Sequence, residues 1–217
     1  MSNSFQSVDL GGRQLRYLVR GEGSPTVVVD QGMGLSIERG FAGPVPLGWA
    51  GVLTEIQKVT RILMHDRAGL GSSDPAPGPR TCDDMVGDLR AVLAAAALCP
   101  PYVLVGHSLG GFNVRVFAGR YPQEVAGMVL ADSSHPDQLQ EFAESLPPEV
   151  AGESLPMRLL RHGPPPGLSP EMVDFRACAA QARAVTTIGA RKPLVVVSPS
   201  PRAVAPPGIA DPVWARM

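Results

Sequence analysis

Four short runs, VVVD at 27–30, YVLVG at 102–106, MVLAD at 128–132 and PLVVVS at 193–198, are almost wholly apolar and rich in β-branched residues. A strand with one face in water alternates apolar and polar side chains, so runs of this kind belong in a sheet covered on both faces. Helical stretches alternate with them, which makes the expected class α/β: a mostly parallel, doubly wound sheet with helices on either side. The strand candidates are 14–19, 26–30, 61–65, 102–105, 127–131 and 193–198. Between the third and fourth, 81–98 reads as a helix. Thr81 can cap it, Asp84 sits three residues on near its positive end, and its Ala-rich body has high helix propensity.

The pattern changes over 136–191. Proline pairs and a triple (Pro147-Pro148, Pro164-Pro165-Pro166) punctuate short amphipathic pieces such as DQLQEFAESL and PEMVDFRACAAQA. Their apolar content is too high for a free linker. The expected organisation is therefore a core over 1–135, a small helical cap insertion over 136–191, and the core continued but incomplete over 192–217.

With 217 residues the chain can bury one substantial core. Its net charge of −1, with signs interspersed, gives no reason to expect nucleic acid or an anionic membrane as a partner. A small-molecule substrate is the expected partner, and nothing in the residues fixes an oligomeric state. The N-terminal stretch MSNSFQSVDLGGRQ has neither a basic n-region nor an apolar h-region, and the longest apolar run, 91–98, is too short to span a bilayer. Cys82, Cys99 and Cys178 are odd in number and widely spaced, which argues against a disulfide framework or a zinc site. Buried or half-buried thiols in a reducing cytoplasm are expected, with no metal and no cofactor implied.

Chemistry concentrates at Gly106-His107-Ser108-Leu109-Gly110, a G-x-S-x-G motif. Alone it is a weak signal in a glycine-rich chain. Here it follows a strand and opens a helix at 110–120, the strand–turn–helix setting that the motif requires. A serine on so sharp a turn is held in a strained conformation with its hydroxyl exposed, and Gly106 and Gly110 must lack side chains so that strand and helix can approach. The competing reading is a glycine-rich turn with Ser108 as a helix N-cap. A second glycine-bearing turn, Asp30-Gln31-Gly32-Met33-Gly34, can lend a backbone N–H to a developing oxyanion, with a second donor from Leu109. Its glycines could equally serve the turn alone. A third, His65 to Asp74, lacks the GK[ST] ending and the G-x-G-x-x-G order of phosphate loops. It reads as structural, with Asp66 and Arg67 bridging loops at the upper edge of the sheet.

VVVDQGMG, HDRAGLGSSDP, YVLVGHSLGGFNVRVFAGRYP and VAGMVLADSSHPDQ together resemble the α/β-hydrolase superfamily, in its serine-nucleophile, capped branch, over most of 27–138. The resemblance implies an eight-stranded, mostly parallel sheet and a cap that shapes the pocket. It also implies Ser108 as nucleophile and the Met33 and Leu109 amides as oxyanion hole. Serine at that position weighs against the haloalkane-dehalogenase and epoxide-hydrolase branches, which use aspartate. The triad order is Ser, then Asp or Glu, then His. The strand after the cap carries no carboxylate until Asp211, whereas the preceding strand ends in Asp132, the preferred acid. A solvated strand-end aspartate is the bland alternative.

The histidine of the triad should follow one more strand, which the sequence does not reach. His107 should point away from the Ser108 hydroxyl, His65 ends a neighbouring strand, and His162 lies in the cap. His135, three residues after Asp132, is the one histidine expected near the mouth of the site. The resulting expectation is a cytoplasmic, esterase-like serine hydrolase acting on an ester, thioester or amide, cut short before its histidine and close to inactive. Losing such a histidine costs on the order of 10⁶ in kcat. The competing class is a non-catalytic α/β-hydrolase-like ligand-binding protein or gene remnant. An exposed apolar edge at 193–198 is expected to make the chain prone to self-association.

Overall fold

The computed structural model describes residues 5–42, 49–189 and 191–198. Seven strands form one sheet: β1 (Gln6–Asp9), β2 (Gln14–Arg20), β3 (Thr26–Asp30), β4 (Ile62–His65), β5 (Tyr102–Ser108), β6 (Val125–Ser133) and β7 (Leu194–Val197), in the order β1-β2-β4-β3-β5-β6-β7. β1 and β2 pair antiparallel, as do β2 and β4; β4, β3, β5, β6 and β7 run parallel. The α/β class and the doubly wound sheet match the expectation, with seven strands among the described residues where the resemblance implied eight. β1 had no signal in the sequence, because its residues are mostly exposed and lack a β-branched run.

Alternation within the apolar runs feeds two cores. Val28 of β3 and Leu63 of β4 face the larger one, while Val27, Val29, Ile62 and Met64 face the other. On the larger side lie α3 (Cys82–Ala95), α4 (Gly110–Arg120) and α7 (Phe175–Arg183). On the other side lie α1 (Ile37–Ala42) and α2 (Trp49–Ile56), through Ile37 and Leu53. Phe112 and Phe117 of α4 are wholly buried, which makes α4 the central helix of the larger layer.

Between β6 and β7 the chain forms α5 (Gln138–Ser145), α6 (Leu155–His162) and α7. α5 and α6 pair with each other over the C-terminal end of the sheet, whereas α7 packs back on α3 and α4. The 136–191 stretch is thus divided between a two-helix cover and a helix of the core layer. Cys82 and Cys178 are buried at the α3–α7 contact, and burial pushes the Cys82 thiol up. Cys99 departs from the expected burial: it is exposed, on the turn after α3. No helix among the described residues is long and apolar enough to cross a membrane.

Candidate active site

β5 runs directly into Ser108, whose φ of +51° lies in the left-handed region, and α4 starts two residues later. A Cβ at Gly106 would meet the Val114 side chain and the Gly111 backbone, and one at Gly110 would run into the Asp30 carbonyl oxygen. The glycines flanking the serine therefore have the steric duty that their spacing suggested. Ser108 itself is half-buried and opens into a cavity of about 370 Å³. Met33 and Leu109 line it beside the serine. Leu139 and Phe142 of α5, Leu159 and Leu160 of α6 and Phe175 of α7 supply apolar walls, and among the described residues no charged side chain lines it. Two other apolar residues of α6 lie elsewhere: Leu155 is exposed, and Met157 is buried outside the wall.

The turn at 30–34 is held from beneath. Arg67, 3% exposed, reaches Asp30 and donates to the carbonyls of Gln31 and Gly32 from Nη1 and Nη2, each at 2.7 Å. Its Nε donates to Glu171 Oε1 at 2.5 Å, and Glu171 Oε2 accepts the Gly34 N–H at 2.6 Å. Asp30 also accepts from Asn113 Nδ2 at 3.1 Å and lies 3.7 Å from His65 Nε2. Burial pushes the Asp30 carboxyl up, but Arg67, His65 and Asn113 outweigh it and hold the pKa below the ordinary value. The expected bridging role of Arg67 is seen in these contacts. Asp66 bonds the Ile37 N–H at 2.6 Å, and its burial raises its pKa. The Met33 and Leu109 amides make no hydrogen bond among the described residues.

At the end of β6, His107 pairs with Ala131 and Ser108 with Ser133, so Asp132 is an extra residue, at a φ of +45°. Bulges of this kind beside a site re-aim a side chain. The Asp132 carboxylate is exposed and raises the pKa of His107, although burial of the imidazole and the nearby Arg67 bring that pKa below its usual value. Asp211 lies outside the described residues.

The four histidines are all committed away from the serine. His107 packs edge-on against Trp49 with ring centroids 5.9 Å apart, and His65 sits against Asp30. His135, the histidine expected near the mouth of the site, is exposed and accepts the Asp137 N–H on Nδ1 at 3.2 Å. His162 ends α6 with Nε2 3.2 Å from Glu149 Oε1. None of them lines the Ser108 cavity. Glu171 and Asn113 are parts of the site that sequence reasoning missed. Glu171 meets an arginine 104 positions away, and no local pattern announces such a pair.

The sequence model of the family described as alpha/beta hydrolase fold matches residues 35–156. Among curated proteins, the uncharacterized protein YqjL of Bacillus subtilis is 33% identical over 113 residues, which cover 52% of this chain and 41% of YqjL. The chain spans less than half the length of the curated relatives that it matches. Among solved structures, a hydrolase from Pseudomonas aeruginosa superposes with a TM-score of 0.56 at 20% identity, covering 91% of this chain and 81% of that one. The enol-lactonase from Burkholderia xenovorans gives a TM-score of 0.56 at 18% identity, covering 89% and 80%. At such identities the structural likeness speaks for the fold.

Proposed function

The chain belongs to the α/β-hydrolase family, and from that membership we propose a serine hydrolase whose nucleophile is Ser108. In this reading the Ser108 Oγ attacks the carbonyl carbon of an ester, thioester or amide. The carbonyl π electrons move onto oxygen, which the Met33 and Leu109 N–H groups receive. Collapse expels the alcohol, thiol or amine with a proton and leaves an acyl-enzyme, which water hydrolyses to the free acid. Asp132, the extra residue at the end of β6, is the acid in this reading. The observation that carries the reading is the strained Ser108 opening into an apolar cavity beside two uncommitted amides. The uncharged walls favour a neutral, apolar acyl group over a carboxylate- or phosphate-bearing one.

No described histidine takes the Ser108 proton. With none, turnover keeps only about 10³–10⁴ over water, from the oxyanion hole and binding. The same absence favours a second reading, a ligand-binding protein that uses the cavity without turnover. A fluorophosphonate probe separates the two. A mass increase on the Ser108 peptide, lost in Ser108→Ala and formed faster than on a free serine-containing peptide, supports the hydrolase. Labelling no faster than the free peptide overturns it in favour of binding alone.

A further inference from the structure

The turn that would carry the oxyanion donor is fixed by a side chain from the far side of the cap. Glu171 lies on the segment between α6 and α7, is 2% exposed, and places one carboxylate oxygen on Arg67 Nε and the other on the Gly34 N–H. Ser169 Oγ donates to the second oxygen at 2.8 Å. Arg67 in turn holds the Gln31 and Gly32 carbonyls. The carbonyl end of the peptide group that carries the Met33 N–H and the peptide groups on either side of it are thereby bonded, while that N–H stays uncommitted. The Glu171 segment is itself anchored to the core by reciprocal bonds of Arg80 with Met172 and Asp174, each 2.8 Å.

Two buried charges close to each other persist only when their remaining donors and acceptors are satisfied. Here satisfaction is complete for Glu171: Arg67, Gly34 and Ser169 occupy both oxygens. Glycines leave the backbone of the turn free, so its direction is set by what bonds it, here a buried ion pair built across 104 positions. We propose that Glu171 is a positioning residue for the oxyanion hole, setting the direction of the Met33 N–H through Arg67 and Gly34, so that seating of the segment behind the cap and assembly of the hole are one event. This rests on the serine-hydrolase reading. Glu171 touches no substrate: it lies outside the Ser108 cavity and acts through the backbone of the turn.

Saturation kinetics of fluorophosphonate labelling test it on the whole chain, by separating the limiting rate constant from the half-saturating concentration. The phosphoryl oxygen occupies the oxyanion position as the adduct forms, so a displaced Met33 N–H lowers the limiting rate. Glu171→Ala is expected to lower it about tenfold, a fraction of the roughly 10²–10³ lost when one oxyanion donor is removed outright. Half-saturation should stay within about twofold, because the cavity walls are untouched. Glu171→Gln keeps one acceptor oxygen but turns an NH2 donor toward either Arg67 Nε or the Gly34 N–H, so it should label at an intermediate limiting rate, about threefold below wild type, and it carries the test if the alanine variant does not fold. Val125→Ala, which opens a small cavity at the start of β6, at the end of the sheet opposite the turn, supplies a control for lost stability.

Unchanged limiting rates in the Glu171 variants that fold overturn the proposal, as does an equal loss in Val125→Ala. So does an effect confined to half-saturation. Wild-type labelling no faster than that of Ser108→Ala sinks the hydrolase reading itself, and is seen before any Glu171 variant is compared.

Discussion

Ser108 stands at a φ of +51°, which a residue with a Cβ occupies only at a cost of about 1–3 kcal/mol. The surroundings that enforce it are short-range and steric. Gly110 brings the start of α4 against the end of β3, so near that an added methyl group collides with the Asp30 carbonyl. Asp30 is backbone neighbour to the turn of Met33 and ion partner of Arg67. Pressing on it disturbs nucleophile and oxyanion turn together. Gly110→Ala is therefore expected to lose about 3 kcal/mol, or on the order of 10 °C in Tm, despite the better helix propensity of alanine. A thermal melt checks this, and an unchanged Tm would mean that strand and helix separate at little cost. The G-x-S-x-G spacing made the need for both glycines legible, although only Gly106 acts on near neighbours in sequence, and the Asp30 carbonyl that Gly110 meets belongs to a distant strand.

Among elements, α3 was readable for the same local reason. The Asp84 carboxylate accepts the Thr81 N–H and hydroxyl, each at 2.8 Å, tying the first turn of the helix to its cap. Thr81→Ala should cost about 1 kcal/mol by urea unfolding at neutral pH. Partial burial pushes the Asp84 carboxyl up, but the Thr81 bonds and the Arg80 charge outweigh it, so its folded pKa lies below the ordinary 3.8. A depressed carboxylate contributes stability that is present above the unfolded value and lost as pH falls through the folded one. The difference between wild type and Thr81→Ala should accordingly hold from neutrality to about pH 5 and shrink below pH 4. A difference that stays constant down to pH 3 would place the effect in helix propensity rather than in the carboxylate. Strands β3, β5 and β6 and helix α4 were legible because apolar runs and glycine spacing are local signals. What the sequence concealed is non-local: the side of the sheet that α7 covers, the bulge that leaves Asp132 unpaired, and the contact of Glu171 with Arg67. Each depends on register or on chain crossing a hundred positions, which no window of neighbours encodes.

At the scale of the molecule the sheet is unevenly covered. β3 is buried along its whole length, while Leu194, Val195, Val196 and Val197 of β7, at the end of the strand order, are 50–61% exposed. β7 pairs with β6 on one side only among the described residues, so its outer N–H and C=O groups lie unpaired between exposed apolar side chains, an edge of the kind that templates strand addition. Natural edges are blunted by charge, proline or a bulge, and Leu194–Val197 has none of these. The chain is expected to self-associate through this edge, with an average mass that rises with concentration in sedimentation velocity. Val196→Lys places a charge on the most exposed of the four residues, and should restore a single monomer boundary without altering the Ser108 cavity. A sharp monomer for the wild-type chain at the same concentrations, together with a cooperative melt, would show that the edge is covered in solution. Association that persists in Val196→Lys would place the contact on a different surface.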